Sequence, residues 1–330
     1  MRALALAGLL ATAAAPVPAP MAATPGFDVV VLGARGGIED GNLSSYLVRP
    51  QGDARGVTCD AGTLVQGLRV AEAKGAFEDV RVPAGEGLSR VGYVLKHDIK
   101  GYLISHPHLD HLSGLIIASP DDSPKPIYAL ASVNAEIARS YFRPGPWSNF
   151  TDRGAEPRLG KYHVEDLKPG MPTPLAGTAM TVTPFPLAHG GMESTAFLIE
   201  HGADAMLCFG DTGADAVEHG DKLARVWAAV AERVRAKRLK AIVIEVSFAN
   251  DRPDDKLFGH LTPRHLLAEL RTLEALTGKG SLRGMPIVVA HIKYALGDTQ
   301  PQRQILSELQ AGNDLGVRFV IPEQGQRLRF

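Results

Sequence analysis

The stretch "SHPHLDHLSGLIIASP", residues 105–120, places three histidines and an aspartate within the six positions His106 to His111. The preceding "IKGYLI" is apolar enough for a buried strand, and the following "LSGLII" reads as the start of a buried helix. Burying several imidazoles and a carboxylate without partners is costly. A divalent cation that takes them as ligands removes that cost, and imidazole with carboxylate suits Zn, Mn, Fe or Ni. A strand end at the edge of a sheet is also where α/β proteins build sites.

Further ligand-type side chains follow apolar runs downstream. His189 ends "VTPFPLAH", Asp211 ends "AMLCFGD" and His291 ends "PIVVAH". The series is H-x-H-x-D-H, then His, Asp and His, with gaps of 78, 22 and 80 residues. Around it the chain alternates strands and helices. "FDVVVLGA", "SSYLVRP", "GVTCDAG", "PIYALA", "AMTVTPFPLA", "STAFLIEHG", "AIVIEVSF" and "VRFVIP" read as strands. "SVNAEIARSYF" reads as a helix capped by Ser132, and "TPRHLLAELRTLEAL" as one capped by Thr262 with Pro263 at its first position. The pattern predicts one long amphipathic helix over "ADAVEHGDKLARVWAAVAERVRAKRL". Residues 143–180, rich in Pro and Gly, predict a long loop or short excursions.

The order and spacing of these ligand-type residues resemble the metallo-β-lactamase fold, a four-layer αββα sandwich. "HPHLDHLSGLIIASP" is further similar to the signature of the class II 3′,5′-cyclic nucleotide phosphodiesterases. "LGARGGIEDGNLSSYLV", "CDAGTL", "GDTG", "IEVSF" and "LFGHLTP" are similar to that family too. The resemblance implies one metal held by His106, His108 and His189 and a second by Asp110, His111 and His291. Asp211 would bridge them, and two Zn²⁺ are the expected cofactors. It also implies hydrolysis of 3′,5′-cyclic AMP, with cyclic GMP a further candidate, to the 5′-nucleotide. Two metals about 3.5–4 Å apart would share and acidify the attacking hydroxide. Asp110 thereby belongs to the catalytic set, and His260 in "FGHLTP" is the candidate contact to the phosphate or proton donor to the 3′ oxygen.

Three more residues carry open alternatives. Asn42 reads as a turn residue or a substrate contact. Asp60 reads as an acceptor orienting a ligand histidine or as a turn residue. Glu245, at a strand end, reads as a hydrogen-bond acceptor. Tyr141, Phe142, Trp147 and Phe150 are either base-stacking residues or loop anchors. Two alternatives to the main reading stand: another hydrolase of this fold, acting on a different phosphodiester or a sulfate ester, and a nucleotide-binding sensor without turnover.

Composition bounds the rest. The chain has 330 residues, a net charge of −1 and 45% hydrophobic content. That balance supports a large core and argues against a nucleic-acid partner. "MRALALAGLLATAAAPVPAPMAA" has the pattern of a secretory signal peptide over residues 1–23, with cleavage near Ala22 or Ala23. Residues 24–330 are then expected to form a single catalytic domain, periplasmic or secreted and free of the membrane. The two cysteines, Cys59 and Cys208, read either as buried thiols or as one bridge.

Overall fold

A computed structural model describes residues 26–297 and 299–330. The expected leader lies outside these residues. Two large mixed sheets carry most of the chain, one of eight strands and one of seven. In the first sheet, strand Phe27–Gly33 lies between Arg327–Arg329 and Ser45–Pro50. Gly56–Cys59, Ile99–Leu103, Lys125–Leu130, Arg158–Leu167 and Asn149–Thr151 then follow in order. The second sheet runs Arg318–Val320, Pro286–Ala290, Leu239–Glu245, Asp204–Phe209, Met192–His201, Thr181–His189 and Thr173–Pro174. Among the described residues, no helix is long and apolar enough to cross a membrane.

The strand sequences dictate the layering. A strand turns successive side chains to opposite faces. In Phe27–Gly33 the set Phe27, Val29 and Val31 packs between the two sheets, beside Met206, Cys208, Val243 and Val288 of the second sheet. Val30 and Leu32 face the other way, into a core shared with Leu68, Leu112, Leu115 and Ile137 of the outer helices. The second sheet repeats this. Leu207, Ile242, Ile244 and Val289 pack against Trp227, Val230, Leu266 and Leu270. A strand buried on both faces must read as continuous apolar sequence, and these strands do. The result is helix, sheet, sheet, helix.

Three local expectations are corrected. The long helix expected over residues 214–239 is broken into Asp215–Glu218 and Lys222–Arg235. His219 takes a left-handed φ of 52° between them. Asp215 then bends back and accepts from the backbone N–H of Leu223 and Ala224, at 3.0 and 2.8 Å, capping the second helix from outside it. The helix Ala131–Ser140 is preceded by Leu130 at the cap, so Ser132 lies inside it and donates to Glu193 instead. The segment expected as loop, residues 143–180, holds a ten-residue strand, Arg158–Leu167, paired with Lys125–Leu130. Its first three residues are exposed and only Tyr162 and Val164 alternate into the core, too short an apolar pattern to announce a ten-residue strand. Cys59 and Cys208 are both free and buried.

Candidate metal centre

The parallel strands of the two sheets end on the same edge of the sandwich. Ile99–Leu103 leads into His106 and His108, and the first turn of helix Leu109–Ala118 carries Asp110 and His111. His189 is the last residue of its strand, Asp211 follows Asp204–Phe209, and His291 lies between Pro286–Ala290 and Ile292–Lys293. All seven residues of the sequence series come together. Donor atoms of His106, His108, His189 and Asp211 form one group, and those of Asp110, His111 and His291 a second. Within each, the atoms lie within 4.8 Å of one another. The Asp211 carboxylate stands between them. Its oxygens lie 3.8 Å from both His106 Nε2 and His189 Nε2, and 3.3 Å from both His111 Nε2 and His291 Nε2.

The hydrogen bonds behind the rings fix which nitrogen faces inward. His111 Nδ1 donates to Asp60 Oδ2 at 2.7 Å. Ser105 Oγ donates to the same carboxylate at 3.0 Å and so accepts from His106 Nδ1, also at 3.0 Å. His189 Nδ1 donates to the Gly259 carbonyl at 2.7 Å. Ser247 Oγ donates to Glu245 at 2.6 Å and accepts from His291 Nδ1 at 3.0 Å. In all four rings the proton is thereby held on Nδ1 and the Nε2 lone pair is turned to the centre. His111 Nε2 and His291 Nε2 stand 3.1 Å apart, and His106 Nε2 is 3.0 Å from His108 Nδ1. Where both nitrogens are unprotonated their lone pairs repel at this distance, and a shared proton or a divalent cation among them relieves it. The donor set therefore fits divalent metal, and its mix of imidazole and carboxylate fits the zinc class.

Charge in the site follows the same arrangement. Burial pushes His106 well below its usual range, with the neighbouring His111 adding to it. Burial likewise lowers His108 and His189. For His111, burial acts downward but the Asp211, Asp60 and Asp110 carboxylates outweigh it, and its pKa is raised. Burial acts upward on Asp211, yet His111 and His291 hold it well below the ordinary carboxylate range. Asp110 is depressed against burial in the same way, by His111 and His291. Its Oδ2 also accepts from the Gly37 N–H at 2.9 Å.

His260 is wedged between the two groups, its ring centroid 4.7 Å from that of His189 and 5.4 Å from that of His291. Its Nδ1 donates to Glu245 Oε1 at 2.8 Å, which leaves only Nε2 for other work. Burial would lower its pKa, but Glu245 more than offsets this and raises it. Asp60 and Asn42 both make hydrogen bonds near the site. Asp60 both orients His111 and closes a turn, accepting from Ser105 N at 2.8 Å with a φ of 55°. Asn42 Oδ1 accepts from the Ala34 N–H at 2.9 Å, the bond of a turn residue. The four aromatics all make local contacts: Tyr141 donates to the Pro107 carbonyl, Trp147 donates to Ser119, and Phe142 and Phe150 pack on the outer core.

Sequence reading missed Lys293, Ser247 and Gly36. Lys293 Nζ lies 2.8 Å from His260 Nε2, and the only signal for it is a cation two residues after His291 in extended chain. Gly36 is required by contact. A Cβ there would sit 2.2 Å from His291 Cε1.

Comparison with known proteins gives the class and then individual relatives. The profile of the family described as "cAMP phosphodiesterases class-II" matches residues 27–325, and the chain belongs to that family. By that membership it is a cyclic-nucleotide phosphodiesterase of the metallo-β-lactamase fold. It is 47% identical to a 3′,5′-cyclic-nucleotide phosphodiesterase of Aliivibrio fischeri, over 92% of this chain and 93% of that one. It is 44% identical to a probable 3′,5′-cyclic-nucleotide phosphodiesterase of Yersinia pestis, over 93% and 90%. Among solved structures it is similar to unliganded yeast PDE1, with a TM-score of 0.80, 25% identity and coverage of 93% of this chain and all of the other. The metallo-β-lactamase fold protein YhfI of Bacillus subtilis shares the fold at a TM-score of 0.60 and 16% identity, over 93% of this chain and all of that one.

Proposed function

We propose that the chain is an exported, dinuclear zinc phosphodiesterase that hydrolyses 3′,5′-cyclic AMP to 5′-AMP, with cyclic GMP as a second substrate. The observation that carries this is the pair of donor groups meeting at Asp211, in a chain that belongs to the class II family. His106, His108 and His189 hold one cation, Asp110, His111 and His291 hold the other, and Asp211 reaches both. Bound there, two cations supply an acidified water nucleophile and neutralise charge on the phosphate.

The chain's own residues do the rest. Asp60, Ser105, Ser247 and the Gly259 carbonyl keep each ligand ring in its inward-facing tautomer. Glu245 holds His260 by its Nδ1 proton and favours the imidazolium form, whose Nε2 proton can go to the departing 3′ oxygen once Lys293 Nζ has turned from that nitrogen to the phosphate. Lys293, beside that nitrogen, adds a positive charge where the phosphate must lie. Export rests on the leader pattern of residues 1–23.

The test is turnover of 3′,5′-cyclic AMP by the zinc-loaded protein, with 5′-AMP separated from 3′-AMP. Chelator-sensitive formation of 5′-AMP is expected. Formation of 3′-AMP refutes the assigned leaving group, and no turnover with two metals bound refutes the substrate. Microscopy of a full-length fusion tests export, which retention of uncleaved protein in the cytoplasm refutes.

A further inference from the structure

Large apolar side chains left in water are informative when they gather at one place. Among the described residues nine large apolar side chains are exposed, and five of them, Ile38, Leu109, Met192, Phe258 and Leu296, stand within five residues of a member of the site. Phe258 is the extreme case among the aromatics, 65% exposed and two residues before His260. Its backbone is held in the left-handed region at a φ of 53°, followed by Gly259 at 79°. A bulky residue pays for that conformation in strain, and such strain concentrates at ligand clamps. The turn cannot relax, because Gly259 is pressed on the backbone of His189 and Gly190. A Cβ on Gly259 would come 2.1 Å from Gly190 N.

Phe258 is one end of a stack that leads out from the site. The Phe248 ring stands edge-on to His260, centroids 5.7 Å apart. The Arg252 guanidinium lies 4.5 Å from the Phe248 centroid and 5.8 Å from that of Phe258. Arg252 Nε donates to the Lys256 carbonyl at 2.9 Å, which fixes the plane. Among the described residues its two terminal nitrogens make no hydrogen bond and remain as donors. A flat aromatic face with a fixed cation beside it, next to a site for a phosphodiester, matches the base of a nucleotide: π-face for stacking, edge acceptors for the donors.

We infer that Phe258, set by Arg252 and Phe248, is the platform on which the nucleobase of the substrate stacks, and that this flank makes the enzyme select nucleotides over simple phosphate esters. The inference rests on the cyclic-nucleotide reading of the site. Its test uses binding, so that it stands apart from turnover. The zinc-loaded protein is titrated calorimetrically with 5′-AMP and with ribose 5-phosphate, which carries the same phosphate and sugar but no base.

The wild type is expected to bind 5′-AMP about tenfold or more tightly than ribose 5-phosphate, from the usual worth of one stacked base. Phe258→Ala should erase most of that ratio and leave ribose 5-phosphate unchanged. Arg252→Ala should reduce it in part. A wild type that binds both ligands equally overturns the inference. So does a Phe258→Ala variant that keeps the ratio, or one that weakens both ligands alike. Failure of the wild type to turn over cyclic AMP while it still prefers 5′-AMP would instead count against the proposed reaction alone.

Discussion

Replacing Asp60 by Asn tests whether one buried carboxylate governs both halves of the metal centre. Asp60 is 3% exposed and makes three bonds toward the site. His111 Nδ1 donates to Oδ2 at 2.7 Å, Ser105 Oγ donates to the same oxygen at 3.0 Å, and Ser105 N donates to Oδ1 at 2.8 Å. Asn has nearly the same shape and tolerates the left-handed φ of 55°, so the turn survives. Its oxygen can keep the Ser105 N–H. Its amide group then points two donors at His111 Nδ1–H and the Ser105 hydroxyl. His111 must shift its proton to Nε2, which removes the lone pair from the centre. Ser105 must rotate, which frees His106. Loss of such an orienting partner typically weakens metal binding by about 10- to 100-fold, or about 1.4–2.7 kcal/mol. Because His106 and His111 belong to different donor groups, both metals should weaken. The assay is competition for zinc with a chelator of known affinity, resolving two binding steps, alongside a melting curve of the chelated protein. Wild-type affinity at both steps would refute the reasoning, and loss at the His111 group alone would refute the role given to Ser105.

Gly36→Ala should cost the second group its geometry through the contact with His291 and lower zinc affinity at one step only, read in the same competition. His260→Ala should keep both zinc ions and slow turnover by about 10²- to 10⁴-fold; unchanged turnover would leave His260 with packing alone. Asp211→Ala should lose metal and activity together, as measured by bound zinc and hydrolysis. Asp98 tests the fold away from the site. Its Oδ2 is buried without a hydrogen-bond partner, and burial raises its pKa to about 6. A carboxyl raised on folding contributes stability that is complete below about pH 4 and is lost as pH rises through 6. Asp98→Asn should therefore match the wild type near pH 4 and exceed it by about 1–2 kcal/mol above pH 7. Melting temperatures across that range check it.

The ligand series was legible because its residue types are unusual in apolar surroundings and stand directly behind strand-like runs. The sandwich was legible from strands apolar on both faces. Other parts left no such mark. Strand Arg158–Leu167 alternates into the core only at Tyr162 and Val164, and its pairing with Lys125–Leu130 depends on a neighbour far along the chain. The break at His219 needs a left-handed residue that sequence does not reveal, sealed by Asp215. Ser247 and Lys293 are ordinary residue types. Their place in the site comes from distances to His260 and His291 set by tertiary packing, to which local pattern is blind.

The division of donors between the two sheets has a consequence for assembly. His106, His108, Asp110 and His111 follow a strand of one sheet, whereas His189, Asp211 and His291 follow strands of the other. Neither half alone can complete a site, so tight metal capture waits for the halves to dock. Docking itself is driven by the dry seam of Val29, Val31, Met206, Val243 and Val288, which requires no ion. The expected order is therefore folding first and metal loading afterwards. Bound ions would add a clamp between two layers that otherwise meet through apolar contact and a few hydrogen bonds, such as that from Thr195 Oγ1 to the Ser105 carbonyl at 2.9 Å. Chelation should then speed the parting of the layers, with a rate set by metal release rather than by the strength of either core.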